Sequence, residues 1–406
     1  MNKEFFIKSR ERVAKLLEDN SMLILFAGKD IKESADQSYE FCIDRNFYYL
    51  TGVNEQNDIF VLIKENNEVK SIIFINEYDE YFAKWNGRKL FKEEVAELSG
   101  ISDIRYIEEF DDFLDETEAK YQIYMDIETN LFSEPTAEAF KYLNSLENVK
   151  NCFPLLARCR MVKQPEEIEV MKQAISITNK GIKALMDNIK PNLYEYQVES
   201  YFDQQIKYHG ASGIAFKTIA ASGENGCVLH YHSNNNKIKD NDLVLFDLGA
   251  EYELYKSDIT RTIPATGKFT ERQKQIYNIV LNGQKLVFEH IKPGVTTIEL
   301  NKILIEYYQK ELKAIGLIEN DDEVKKYYYH GVSHHLGLDT HDIAIRELPL
   351  TAGCVITVEP GLYIAEEGIG IRIEDDALVT EDGVINLSSE IIKEVSDIET
   401  YMAKNK

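Results

Sequence analysis

Apolar positions recur at helical spacing from the start of the chain: Phe6, Val13, Leu16 and Leu17 share one face of residues 4–19, with charged residues elsewhere. This predicts an amphipathic opening helix. The pattern then changes to short β-branched or aromatic runs, Leu23–Ala27, Phe47–Thr51, Ile59–Ile63, Ser71–Ile75 and Gln122–Ile127, set between Gly, Asn and Asp, which predict strands. Residues 1–158 therefore read as a mixed α/β domain. After a break around 151–164, Pro165-Glu166-Glu167 opens a helical run through Ile168, Met171, Ala174, Ile175 and Thr178, with the proline in its first turn. Further helices are predicted over about 195–208, 271–291 and 297–314. Helices and hairpins come in blocks here, without steady βαβ alternation, so residues 159–406 read as an α+β domain.

Two hairpins in that second half carry buried acid. Asp247 ends the apolar run Leu243-Val244-Leu245-Phe246, and Asp258 precedes Ile259-Thr260-Arg261. A turn centred on Tyr252-Glu253 lies midway between the two aspartates and would set them opposite each other on one face. Glu359 likewise ends Val355-Ile356-Thr357-Val358, and a turn at Glu366-Glu367-Gly368 would set it opposite Glu374. The pairing of these hairpins raises the possibility of a duplicated half. Two carboxylate pairs facing one cavity repel strongly without cations. The competing reading is a structural ion pair with Arg261 or Arg372.

The 406 residues exceed one ordinary core, and 44% hydrophobic with 29% charged residues is usual for a globular protein. A net charge of -24 argues against nucleic acid or an anionic membrane as partner, because binding phosphate needs clustered Lys and Arg. The five cysteines are odd in number, widely spaced and without a CxxC pair, which points to reduced thiols in the cytoplasm. The early apolar stretch Met22–Ala27 is too short for a signal core or a spanning helix, again an expectation of a cytoplasmic protein.

Four of the eight histidines, His330, His334, His335 and His341, fall in Tyr329–Asp342. A cluster this dense suits metal ligation by one imidazole and hydrogen bonding by its neighbours to a developing oxyanion or a leaving group. His230 and His232 follow a glycine-rich loop, Ser222-Gly223-Glu224-Asn225-Gly226, that lacks the Lys-Ser or Lys-Thr of a phosphate cradle. Four carboxylates with a single His favour hard or borderline divalent ions, Mn(II) first and then Co(II) or Zn(II). Two such ions about 3.5 to 4 Å apart lower the pKa of water and polarise a carbonyl, which fits peptide or ester hydrolysis.

Asp247 with Asp258, the Ser333–Asp342 segment, Val358-Glu359-Pro360-Gly361-Leu362-Tyr363-Ile364 and Arg372-Ile373-Glu374-Asp375-Asp376 resemble the motifs of the pita-bread metallopeptidases. Within them the chain resembles aminopeptidase P, the Xaa-Pro aminopeptidases. Asp36–Phe41 and Phe47–Gly52 resemble that family's amino-terminal domain. The resemblance implies a creatinase-type α/β domain over 1–158 and an α+β pita-bread catalytic domain over 159–406. It implies five ligands, Asp247, Asp258, His334, Glu359 and Glu374, for two divalent ions. It also implies that a hydroxide bridging those ions attacks the carbonyl before proline while Glu359 handles the proton.

By the same resemblance, His341 and His230 contact substrate and stabilise the tetrahedral intermediate, and His330, Tyr363 and Arg372 line the proline side of the cleft. Asp36 matches the amino-terminal domain's substrate contacts. Trp85, in a Trp-x-Gly-Arg segment, matches a loop that reaches a neighbouring subunit's site, which implies a dimer or tetramer; the alternative for Trp85 is a buried core aromatic. Two positions depart from the family: His335 replaces a bulky apolar residue, and Phe41-Cys42-Ile43 replaces an Arg-containing stretch. The expected substrates are peptides with proline second. A dipeptidase of the prolidase type is the nearest rival, and a non-catalytic pita-bread binding module is the rival from another class.

Overall fold

The computed structural model describes residues 1–129 and 136–404. They form two compact units, Met1–Arg160 and Met161–Lys406. The first is built on a six-stranded mixed sheet. In order across the sheet run Asp103–Tyr106, Glu68–Ile75, Ile59–Glu65, Ser21–Phe26, Gln122–Met125 and Lys150–Asn151. The central three strands are antiparallel and the outer pairings are parallel.

The opening helix is Lys3–Leu16, capped by the Asn2 side chain on Phe5 N. It buries Phe5, Phe6 and Val13 but leaves Leu16 exposed, so the apolar face is rotated from the predicted one. Residues 47–51 are not a strand. They belong to the helix Arg45–Thr51, capped by Asp44 and ended by Gly52 in the left-handed conformation. A run buried on every side carries no periodicity, and the cap and stop residues at its ends decide the outcome.

In the second unit four long helices, Pro165–Asn188, Glu195–Tyr208, Glu271–His290 and Thr297–Ala314, pack with small antiparallel sheets. Thr270 with Gln273 and Thr296 with Glu299 form capping boxes that fix where the last two helices begin. Among the described residues no helix is long and apolar enough to cross a membrane. All five cysteines are free thiols.

Each acidic hairpin consists of an outer ladder and a tip ladder, with a gap between them. In the first, Leu243–Leu248 pairs with Ile259–Pro264, and the tip pairs Ala250–Tyr252 with Tyr255–Lys256. The turn residues are Glu253 and Leu254, at φ 46° and 68°. Asp247 therefore opposes Thr260 and not Asp258. Moving the turn by one residue moves the partner by two, and since side chains alternate with period two, the aspartates keep to one side. In the second hairpin Val355–Val358 pairs with Asp375–Val379, and Gly361–Ile364 with Ile369–Arg372. Val358 opposes Asp375 and Gly361 opposes Arg372, which puts Glu359 and Glu374 at matching places in the gap.

Candidate metal centre

The two gaps and the histidine segment bring the carboxylates together. Asp258, His334 and Glu374 each present a ligand atom, all within 4.8 Å of one another. His334 Nε2 also lies 3.4 Å from Glu359 Oε1. Asp247 enters from the side: its Oδ2 accepts from Arg372 Nη2 at 2.6 Å, while its Oδ1 is buried without a hydrogen-bond partner. His335 bridges to Ile356 through its backbone, and its buried ring faces the opposite way from His334, beside Lys163 and Asp342. Extended backbone sends neighbouring side chains to opposite sides, so of this adjacent pair His334 is the one that meets the acids.

Burial and mutual repulsion dominate the electrostatics. Burial first, then Asp247, Asp376 and Glu359, hold the Asp258 carboxyl well above its ordinary range. Burial and then Asp258, Glu359 and Asp247 do the same to Glu374, and burial raises Glu359. Against these four acids stands one guanidinium, Arg372, which burial opposes but Tyr363, Asp247 and Glu374 keep firmly protonated. Arg261 is spent elsewhere, on Asp375 at 2.7 Å, with Lys393 on the same carboxylate. The structural ion pair thus exists for Asp247 alone, and it uses one of that residue's two oxygens.

This donor set fits divalent cations. His334 Nδ1 lies 3.0 Å from the His335 carbonyl and can donate to it, which turns the Nε2 lone pair toward the carboxylates. Asp258, His334 and Glu374 would hold such ions at the centre, with Asp247 and Glu359 flanking.

Around this floor the polar groups are graded in exposure. Tyr363 and Arg372 are buried, and Tyr363 OH accepts from Arg372 Nη1 at 2.9 Å and meets His330 Nε2 at 2.8 Å. His330 Nδ1 faces the Gly331 carbonyl, so the ring is fixed by a donor–acceptor chain running back to Arg372. Burial, then Arg372, lower the His330 pKa to about 4. His341 packs edge-on against His334, ring centroids 4.2 Å apart, with its other side open to solvent. Partial burial and the neighbouring His334 and His230 lower its pKa to about 4. His230 is exposed and stacks on His232 at 6.1 Å. Asp36 and Trp85 belong to the first unit. Asp36 is exposed at the turn between Lys32–Ser34 and Gln37–Ser38, and Trp85 is 74% exposed on the helix Glu80–Asn86, which rules out a core role.

Three positioning residues escaped sequence reasoning. Thr260 Oγ1 donates to Glu374 Oε2 at 2.6 Å and accepts from Arg372 Nε. Thr357 Oγ1 donates to Glu359 Oε1 and accepts from His334 N. Each threonine stands two residues from a proposed ligand, on the same strand face, a spacing that was readable. Gln284 Nε2 donates to the carbonyls of Val358 and Ile373, one residue before Glu359 and Glu374. Nothing in the local sequence of its helix marks it.

Residues 169–381 match the model of metallopeptidase family M24, and residues 6–124 match that of the aminopeptidase P N-terminal domain. A Haemophilus influenzae Xaa-Pro aminopeptidase is 36% identical, covering 98% of this chain and 97% of its own. A solved Bacillus anthracis structure, assigned provisionally as an aminopeptidase P, superposes with TM-score 0.96 at 45% identity over 100% and 99% of the two chains. Aminopeptidase P from Escherichia coli with the inhibitor Pro-Leu superposes at 0.93 with 32% identity over the same shares. With its acidic hairpins meeting at one histidine and both of its domains matched, the chain belongs to metallopeptidase family M24, with a pita-bread catalytic domain behind an aminopeptidase P-type amino-terminal domain.

Proposed function

We propose that this chain is a dinuclear metallo-aminopeptidase that removes the first residue of peptides with proline second. The observation that carries the reading is the convergence of Asp258, His334 and Glu374 with Asp247 and Glu359, with Arg372 as a counter-charge on Asp247. The preference for proline rests on the activity named for the relatives. Two divalent ions, Mn(II) first, held by the five side chains supply Lewis acidity and lower the pKa of water towards neutrality.

The chain's own groups do the rest. Glu359, with Oε1 tied to Thr357 and its pKa raised by burial, takes up and returns a proton at Oε2. His341, kept neutral near pH 7, and His230 donate hydrogen bonds to the tetrahedral oxyanion. His330, fixed by Tyr363 and Arg372, bounds the proline side. Asp36 and Trp85 contribute from the amino-terminal domain, Trp85 within a homo-oligomer, and the enzyme works in the cytoplasm without nucleic-acid or membrane partners.

The test compares Ala-Pro with Xaa-Pro-Leu tripeptides on Mn(II)-loaded protein of measured metal content. Tripeptide cleavage with two ions per chain is expected, and Glu359→Gln should lower kcat by about 10³-fold with the fold retained. Strict dipeptide preference, or less than one ion per chain, would sink the proposal.

A further inference from the structure

Glu195 is the first residue of the helix Glu195–Tyr208 and has no solvent exposure. A carboxylate in that place needs partners, and it has five donors. Its Oε1 accepts from Ser222 N and Ser222 Oγ, both at 2.7 Å, and from Asn225 Nδ2 at 3.1 Å. Its Oε2 accepts from Tyr231 OH and Asn236 N, both at 2.8 Å. The helix N-terminus adds favourable dipole energy to the negative charge.

These donors are not scattered. Ser222 and Asn236 flank the glycine-rich loop, and Tyr231 stands between its two histidines. Because His230 and His232 stack on each other while Tyr231 reaches back to Glu195, the imidazoles and the phenol leave the backbone on opposite sides. The loop is exposed at His230, where that ring packs on the equally exposed His232. The carboxylate supplies the fixed point behind it.

We infer that Glu195 is a positioning residue for the reaction: through Tyr231 and the two loop ends it holds His230 at the height where that imidazole meets substrate. This rests on the proposed role of His230. Glutamine cannot replace the carboxylate there, because an amide offers one oxygen and the other position becomes a donor facing a donor. Asn236 N would then face a donor, which loosens that end of the loop although Asn236 O still accepts from Glu195 N.

The experiment is a double-mutant cycle on the metal-loaded, full-length protein, using Tyr231→Phe, His230→Ala and both together, with melting temperature measured on each. Tyr231→Phe removes one hydrogen bond to a buried charged acceptor and should lower kcat by about 3- to 10-fold with KM unchanged, while the melting temperature falls by a few degrees, equally in both backgrounds. In the His230→Ala background the same change should cost nothing more in kcat, which a merely structural tyrosine would not show. Glu195→Gln should lower kcat by at least about tenfold, and if it fails to fold, the Tyr231 cycle decides alone. Equal kcat losses in both backgrounds, or no kcat loss from Tyr231→Phe, overturn the inference. Full kcat in His230→Ala overturns it together with the role of His230, whereas wild-type protein that leaves Xaa-Pro-Leu uncut would mark failure of the proposed function itself.

Discussion

In the first acidic hairpin the chain reverses at Glu253 and Leu254, both left-handed and neither a glycine; in the second it reverses through Ala365–Glu367 into Gly368, where glycine takes the left-handed place. The gaps differ as well. At the first, a Cβ on Gly249 would stand 1.8 Å from the Ser257 carbonyl oxygen, so the strands close in on a missing side chain. At the second, Pro360 has no N–H to offer the ladder, and only its carbonyl is used, by Ile373 N. One hairpin gives up a side chain and the other a donor, and both interrupt the ladder next to their acids. The shared feature is the interruption; turn chemistry is where they are free to differ.

The largest effect that tests this pairing is removal of metal, which leaves the acids of both hairpins facing each other. Chelation should lower stability by about 4 kcal/mol relative to protein in a thousandfold excess of metal over Kd. The loss should depend on pH. Asp258, Glu359 and Glu374 have folded pKa values raised by burial, so their contribution is fully present below their ordinary pKa and is lost as pH rises towards neutrality. Metal-free protein should thus melt lower at pH 7 than at pH 5, and a flat profile in scanning calorimetry would separate the hairpins' acids from its stability.

Next comes Gly249→Ala, which should cost about 3 kcal/mol in urea unfolding and misplace Asp258 enough to reduce activity. A cost below about 0.5 kcal/mol would mean that the first gap is looser than its contacts indicate. The smallest effects come from the turns and should have opposite signs. Gly368→Ala should cost about 1 kcal/mol, and Glu253→Asn should gain about 0.5 kcal/mol by suiting the left-handed backbone. Equal signs would show that turn conformation is not what separates the two.

The same contrast explains what could be read from the sequence. The second hairpin's register was legible because Gly368 punctuates it; the first lacked that sign, and its turn lies one residue later than Tyr252-Glu253. The helices Glu271–His290 and Thr297–Ala314 were legible by range, and the structure shows capping boxes at Thr270 and Thr296 behind that, whereas Phe47–Thr51, an aromatic run, resembled a strand. At the site, the acids at the ends of apolar strands and the dense histidine segment stood out against their surroundings. Gln284 and Glu195 did not, because a single polar residue on a helix looks ordinary until folding shows what it touches, and Thr260 and Thr357 offered only their two-residue spacing from Asp258 and Glu359.

The centre is assembled from distant parts of the chain: Arg372 reaches Asp247 across 125 positions, and Thr260 reaches Glu374 across 114. During synthesis the first hairpin leaves the ribosome long before the second exists, so a nascent chain carries a partial set of ligands and no working centre until residue 374 has emerged. A product of translation interrupted before residue 374 would lack Glu374, and with it the acid that Thr260 holds.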